Sequence, residues 1–178
     1  MNHQDHVRLL RHGVPAQDSV WADFGSGDGA FTLALADLLG PGARIYSVDR
    51  EAHSLERQEI SMALQFPDVH VTYLTADYTR PLELPPLDGI VMANSLHFQR
   101  AKDGVLSLMR DYLKPGGRLL LVEYNADNGN MWVPYPLSYP TWEKLAAANG
   151  FVQTRLLATT PSRFLREIYS AESLKPVE

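Results

Sequence analysis

Acidic side chains and closely spaced glycines stand together in the stretch Trp21-Ala22-Asp23-Phe24-Gly25-Ser26-Gly27-Asp28-Gly29-Ala30-Phe31. Glycines let a backbone approach a ligand closely, and the start of a helix offers unpaired amide N–H groups. Twenty residues after Gly29 comes Asp49, a carboxylate of the kind that accepts from both ribose hydroxyls of a nucleoside. Asp77 and Tyr78 add a further acceptor and an aromatic surface suited to an adenine ring. Gly25, Gly27 and Ala30 satisfy the G-x-G-x-x-A pattern of dinucleotide loops. Such a loop must accommodate a pyrophosphate, whereas Asp23 and Asp28 bracket these glycines and suit a cation better than a diphosphate.

Those residues need a scaffold that brings them to one edge, and the apolar periodicity supplies it. Residues 19–24 read as a strand, followed by a helix on which Phe31, Ala34, Leu35 and Leu38 share a face. Gly40-Pro41-Gly42 stops that helix. Strands are expected at 44–48, 70–74, 89–93 and 118–124, and helices at 51–65 and 102–113. Residues 81–86 form a proline-rich loop. Thr141 caps a short helix that ends at Asn149-Gly150, and runs at 152–158 and 163–170 read as a closing hairpin. Strands alternating with helices give an α/β, doubly wound, mostly parallel sheet. The acids then fall at the carboxyl ends of parallel strands, the usual ligand edge.

At about 150 residues per domain, 178 residues argue for a single domain. Within it, 1–18 is a short helical segment, 125–140 a substrate-side loop and 171–178 a tail. Sixteen basic against twenty-one acidic side chains give a net charge of −5, which disfavours nucleic acid as the main partner. With no cysteine there is no disulfide framework, thiolate metal site or cysteine nucleophile. The cysteine-free composition fits a cytoplasmic protein, and no stretch approaches the roughly 20 apolar residues of a membrane span, so no membrane partner is expected.

The sulfonium and ammonium of S-adenosyl-L-methionine are cations of the kind the acid-flanked loop suits. The chain resembles the class I S-adenosylmethionine-dependent methyltransferases, in particular the small-molecule enzymes of bacterial type, from about Val20 to Ser170. The matching motifs are ADFGSGDG at 22–29, YSVDR at 46–50, TADY at 75–78, VMANSLHF at 91–98 and LKPGGRLLLVEY at 113–124. The resemblance implies a Rossmann-like, seven-stranded sheet with its last strand antiparallel. It also implies cofactor-binding roles: Gly25 and Gly27 against the methionine part, Asp49 on the ribose, Asp77 and Tyr78 at the adenine. Asn94 would meet the amine through its backbone carbonyl, and Asp23, Ser26 and Arg50 complete the set. For Asp28 a helix cap is the favoured reading, and for Tyr78 rim packing stands beside the adenine role.

Methyl transfer is an in-line displacement that needs alignment and exclusion of water, and a base only when the acceptor must lose a proton. His97 and Glu123, where the fourth and fifth strands end, are the candidate catalytic residues. Each has a second reading, His97 as a loop histidine bonded to backbone and Glu123 as a pin for the following loop. Trp132, Tyr135 and Tyr139 suit an aromatic wall around a flat or apolar acceptor, and equally packing over a sheet edge or a dimer contact. The Ala93-Asn94-Ser95-Leu96 stretch departs from the Pro-Pro type of amide methylation, and no acid and Asn pairing suggests a metal. A short N-terminal cap leaves an open site, able to admit a larger partner, or one completed by a second subunit, either another copy of the chain or a partner subunit. The functional expectation is methyl transfer to a small organic acceptor. The alternatives are a cofactor-binding subunit without chemistry and an NAD-dependent oxidoreductase.

Overall fold

The structure is a computed structural model and describes residues 1–15 and 19–178. Strand β1 (Val20–Phe24) is buried along its whole length because it lies inside a seven-stranded sheet with apolar layers on both faces. Its side chains alternate between those layers: Val20, Ala22 and Phe24 join one, Trp21 the other. The first layer is completed by helices α4 (Asp103–Tyr112) and α5 (Tyr139–Ala148), through residues such as Leu106, Met109 and Trp142. The second is completed by α1 (His3–Leu10), α2 (Ala30–Leu39) and α3 (Ala52–Gln65), through Leu9, Leu10, Phe31, Leu35 and Met62.

The remaining strands are β2 (Arg44–Asp49), β3 (His70–Thr75), β4 (Leu87–Ala93), β5 (Leu113–Tyr124), β6 (Val152–Ser162) and β7 (Arg166–Leu174). Their order is β3-β2-β1-β4-β5-β7-β6. All pairs are parallel except those of β7, which runs antiparallel between β5 and β6. The order reverses between β1 and β4, and a crevice forms at such a switch point beyond the strand carboxyl ends. No helix among the described residues is long and apolar enough to cross a membrane.

Several boundaries differ from the sequence expectation, each for a local reason. Ser138, not Thr141, caps α5: its side chain accepts from the Thr141 N–H, and a proline in the first turn costs no bond there. Gly29 in a left-handed conformation (φ 89°) occupies the cap of α2 without a side-chain bond, so Asp28 does not cap it. Asp28 instead pairs with Arg57 at 2.6 Å, and that guanidinium holds its carboxyl below the usual range. Strand β5 starts at Leu113 and absorbs Gly116-Gly117, because Leu113 pairs with Leu87 ahead of a register shift. Strand β7 continues to Leu174, which shortens the tail, and α1 realises the N-terminal helical segment over His3–Leu10 while positions 16–18 of that segment lie outside the described residues.

Candidate functional site

The end of β1 is bent over the end of β2 by two amide bonds, Gly25 N–H and Ser26 N–H to the Val48 carbonyl, at 2.8 and 3.1 Å. Gly25 and Gly27 hold positive φ, 73° and 54°. A Cβ on Gly25 would stand 2.5 Å from the Ser95 Cβ, whereas one on Gly27 would meet nothing within 4 Å. The first glycine is required by close packing on the β4 exit, and the second faces open space where a ligand can approach the backbone.

Beneath the loop lies a buried polar knot. Ser47 Oγ donates to Gln58 Oε1 (2.6 Å) and accepts from the Ser26 hydroxyl (2.7 Å), and Gln58 Nε2 donates to the Gly27 carbonyl (3.0 Å). Ser26 therefore supports the loop from below. Gln58 escaped the sequence reading, although a polar residue on the same helical face as Leu55 and Met62 signals a buried hydrogen bond.

In front of the loop opens a cavity of about 590 Å³. Of the predicted cofactor residues, Gly25, Gly27, Asp49, Arg50, Asp77, Tyr78 and Asn94 line it. Asp49 is aimed by two amides: Gly27 N–H donates to Oδ2 at 2.8 Å and Glu51 N–H to Oδ1 at 2.9 Å. Asp77 is held by the Thr79 hydroxyl (2.7 Å) and amide (2.9 Å), which keep its carboxyl below the usual carboxylate range. Arg50 is exposed and 3.5 Å from Glu51. Asn94 is itself left-handed (φ 51°), and its Oδ1 is buried without a partner. Ser95, Phe98 and Gln99 complete the wall on the β4 side, with Glu51 and Ser54 on the other. These were missed, although they lie in the segments that leave β2 and β4, where a switch-point ligand is expected.

Asp23 does not reach the cavity. It faces the α2 layer, is 1% exposed, and accepts from the Thr32 hydroxyl at 2.7 Å. Burial pushes its carboxyl up to about 7, against the opposing Thr32 bond. Asp49→Ala should weaken binding of S-adenosylhomocysteine by about 10- to 100-fold, the worth of one or two bonds to a charged group. Isothermal titration calorimetry reads this, and an unchanged affinity would remove Asp49 from the ribose.

On the acceptor side, His97 and Glu123 meet in the interior, 3% and 0% exposed. The Nδ1 of His97 lies 2.9 and 3.1 Å from the two oxygens of Glu123, one of which also accepts from the Tyr124 N–H at 2.7 Å. The imidazole rests against Phe98 (centroids 4.4 Å apart) and Tyr124 (5.8 Å). The loop at 125–140 is stitched to this segment: Tyr135 N–H donates to the His97 carbonyl, and Lys102 Nζ to the carbonyls of Gln99 and Tyr135. The three loop aromatics do not converge. Trp132 and Tyr135 are 72% and 41% exposed, while Tyr139 lies in the first turn of α5, edge-on to Tyr169 with its hydroxyl on Glu143. Among the described residues no group of three or more His, Asp or Glu is placed to hold a metal.

A family described as a methyltransferase domain matches residues 17–166. The chain is 28% identical to a reducing polyketide synthase from a Penicillium species, over 88% of this chain and 7% of that protein. It is 30% identical to a probable cobalt-precorrin-6B C(15)-methyltransferase (decarboxylating) from Methanothermobacter thermautotrophicus, over 60% of this chain and 53% of the relative. The chain thus spans about half or less of these two relatives. Among solved structures, the 1,6-didemethyltoxoflavin-N1-methyltransferase of Burkholderia thailandensis, with bound S-adenosylhomocysteine, superposes with a TM-score of 0.76. That match covers 98% of this chain and 78% of the other at 17% identity. With its glycine loop, its strand-end acids and its sheet order in agreement, the chain belongs to the methyltransferase domain family, a class I S-adenosylmethionine-dependent methyltransferase in fold and cofactor.

Proposed function

We propose that the protein methylates a small organic acceptor that must lose a proton to react, with His97 as the base and Glu123 as its orienting partner. The observation that carries this is the buried His97–Glu123 contact directly behind the β4 wall of the cavity. The cavity fits the cofactor: the loop offers an unobstructed backbone at Gly27, and Asp49 and Asp77 present acceptors to hydroxyls and amines. S-adenosylmethionine supplies the methyl as an electrophile on a cationic sulfur and is converted to a neutral thioether.

The rest falls to the chain. Glu123 holds the Nδ1–H of His97, leaving Nε2 with the lone pair that takes the acceptor's proton. The electron pair freed on the acceptor forms the new bond to the methyl carbon, and the resulting imidazolium is stabilised by the carboxylate beside it. Phe98, which is largely exposed, and the loop at 125–140 border the entry and exclude water as the acceptor arrives. We assign Trp132, Tyr135 and Tyr139 to this acceptor side, with Trp132 and Tyr135 adaptable contacts at its rim.

A screen of phenols, enolisable carbonyl compounds and amines with methyl-labelled cofactor tests the reading. Label is expected in the first two classes, and transfer only to amines, which need no base, would overturn the assignment of His97. Trp132→Ala should raise the acceptor KM while leaving stability within about 0.5 kcal/mol, as for an exposed side chain. An unchanged KM would place Trp132 outside the acceptor path.

A further inference from the structure

We propose that Tyr78 faces the sulfonium of the bound cofactor and recognises, through its ring, the positive charge that methyl transfer removes. This rests on the cofactor assignment above and changes the role of Tyr78 from adenine contact to charge recognition at the reacting centre.

The cavity has two ends. Asp49 and Asp77, on the exits of β2 and β3, mark the nucleoside end. Asn94 and Phe98, on the exit of β4, mark the end next to the His97–Glu123 pair. A cofactor that joins a nucleoside to a reacting methyl must place its sulfur between the two. Tyr78 follows Asp77 in sequence, but its side chain leaves the nucleoside end and crosses toward β4. Its hydroxyl donates to the Ser95 carbonyl at 2.8 Å, and its Cε1 lies 3.4 Å from where a Gly25 Cβ would stand. The ring therefore forms the cavity wall between the glycine loop and the β4 exit.

The chemistry of that position suits a sulfonium. This cation carries no N–H or O–H, so it is recognised by its charge and not as a conventional hydrogen-bond donor, and an aromatic π-face attracts such a charge. The ring is fixed for the task. The Gln99 amide donates to the Tyr78 hydroxyl at 3.3 Å while that hydroxyl donates to Ser95, so both ends of its bonding are set. With its hydroxyl proton committed to Ser95, the residue points no O–H hydrogen at the charge. The ring then favours the charged substrate over the neutral product, which aids turnover by loosening the spent cofactor.

The test is calorimetry with three ligands on the full chain: S-adenosylmethionine, S-adenosylhomocysteine and sinefungin, whose amine puts a positive charge where the sulfonium stands. Tyr78→Leu and the longer, unbranched Tyr78→Met remove the ring, whereas Tyr78→Phe keeps it and removes only the bonds to Ser95 and Gln99. Both ring-less variants are expected to bind the two cationic ligands about 3- to 30-fold more weakly, the range for a cation over an aromatic face. Their affinity for S-adenosylhomocysteine should fall by a smaller factor, so that the preference for the cationic ligands narrows, and Tyr78→Phe should keep the wild-type preference among the three. Equal losses for all three ligands, or no loss for any, would overturn the proposal. Failure of the wild-type chain to bind S-adenosylhomocysteine at all would instead overturn the cofactor assignment beneath it.

Discussion

His97→Asn should lower kcat by about 10²- to 10⁴-fold, the usual worth of a positioned general base, and leave S-adenosylhomocysteine affinity unchanged. The imidazole stands apart from the glycine loop and Asp49, so its loss removes proton transfer without disturbing the cofactor cradle. Glu123→Gln should act through His97. An amide in place of the carboxylate no longer stabilises the imidazolium, so kcat falls although the base is still present. A single replacement in this buried hydrogen-bonded contact also risks stability, because the remaining partner is left unsatisfied. The double variant His97→Asn, Glu123→Gln avoids this by pairing two neutral amides. It should fold, bind cofactor and be no slower than His97→Asn alone, since the two residues act as a unit. A folded His97→Asn protein with wild-type kcat would end the general-base reading.

How much of this was legible in the chain depends on how local each contact is. Asp49 could be placed because its distance from Gly29 is set by one helix and one strand, and the β1–β2 register then brings it to the loop. His97 and Glu123 are 26 positions apart, yet parallel pairing of Ala93 with Val122 brings the ends of β4 and β5 together. That encounter was implicit in the expected topology, and both residues were singled out for standing there. Asp23 was placed on the ligand side because every neighbour in β1 is apolar, so alternation carries no mark of which face a side chain takes. The path of the loop at 125–140 was not legible either. It is drawn by distant bonds, such as Asn125 to Glu167, Tyr169 to the Leu137 carbonyl and Asp127 to Ser138, and these turn Trp132 outward.

Asp23 carries the second large effect, on stability and through it on cofactor binding. Burial raises its carboxyl to about 7, the bond from Thr32 opposes this, and the nearby charge of Asp49 adds to it. The native value then lies above the unfolded one of about 3.9, so the native state holds this proton more tightly. The contribution to stability is full below pH 4 and is lost as pH rises through 7. Between pH 5 and pH 8 that loss amounts to about 2.5 kcal/mol. Asp23→Asn keeps the shape and an acceptor for Thr32 but has no proton to lose. In denaturant unfolding without ligand, the variant should therefore gain about 2.5 kcal/mol on wild type from pH 5 to pH 8. A cation in the cavity favours the ionised carboxylate two residues before Gly25, so cofactor binding should release a proton near neutral pH. Wild-type affinity for S-adenosylmethionine should then rise from pH 6 to pH 8 more steeply than that of the variant. Parallel pH dependences in the two proteins, for unfolding and for binding, would mean that Asp23 is already ionised beneath the glycine loop.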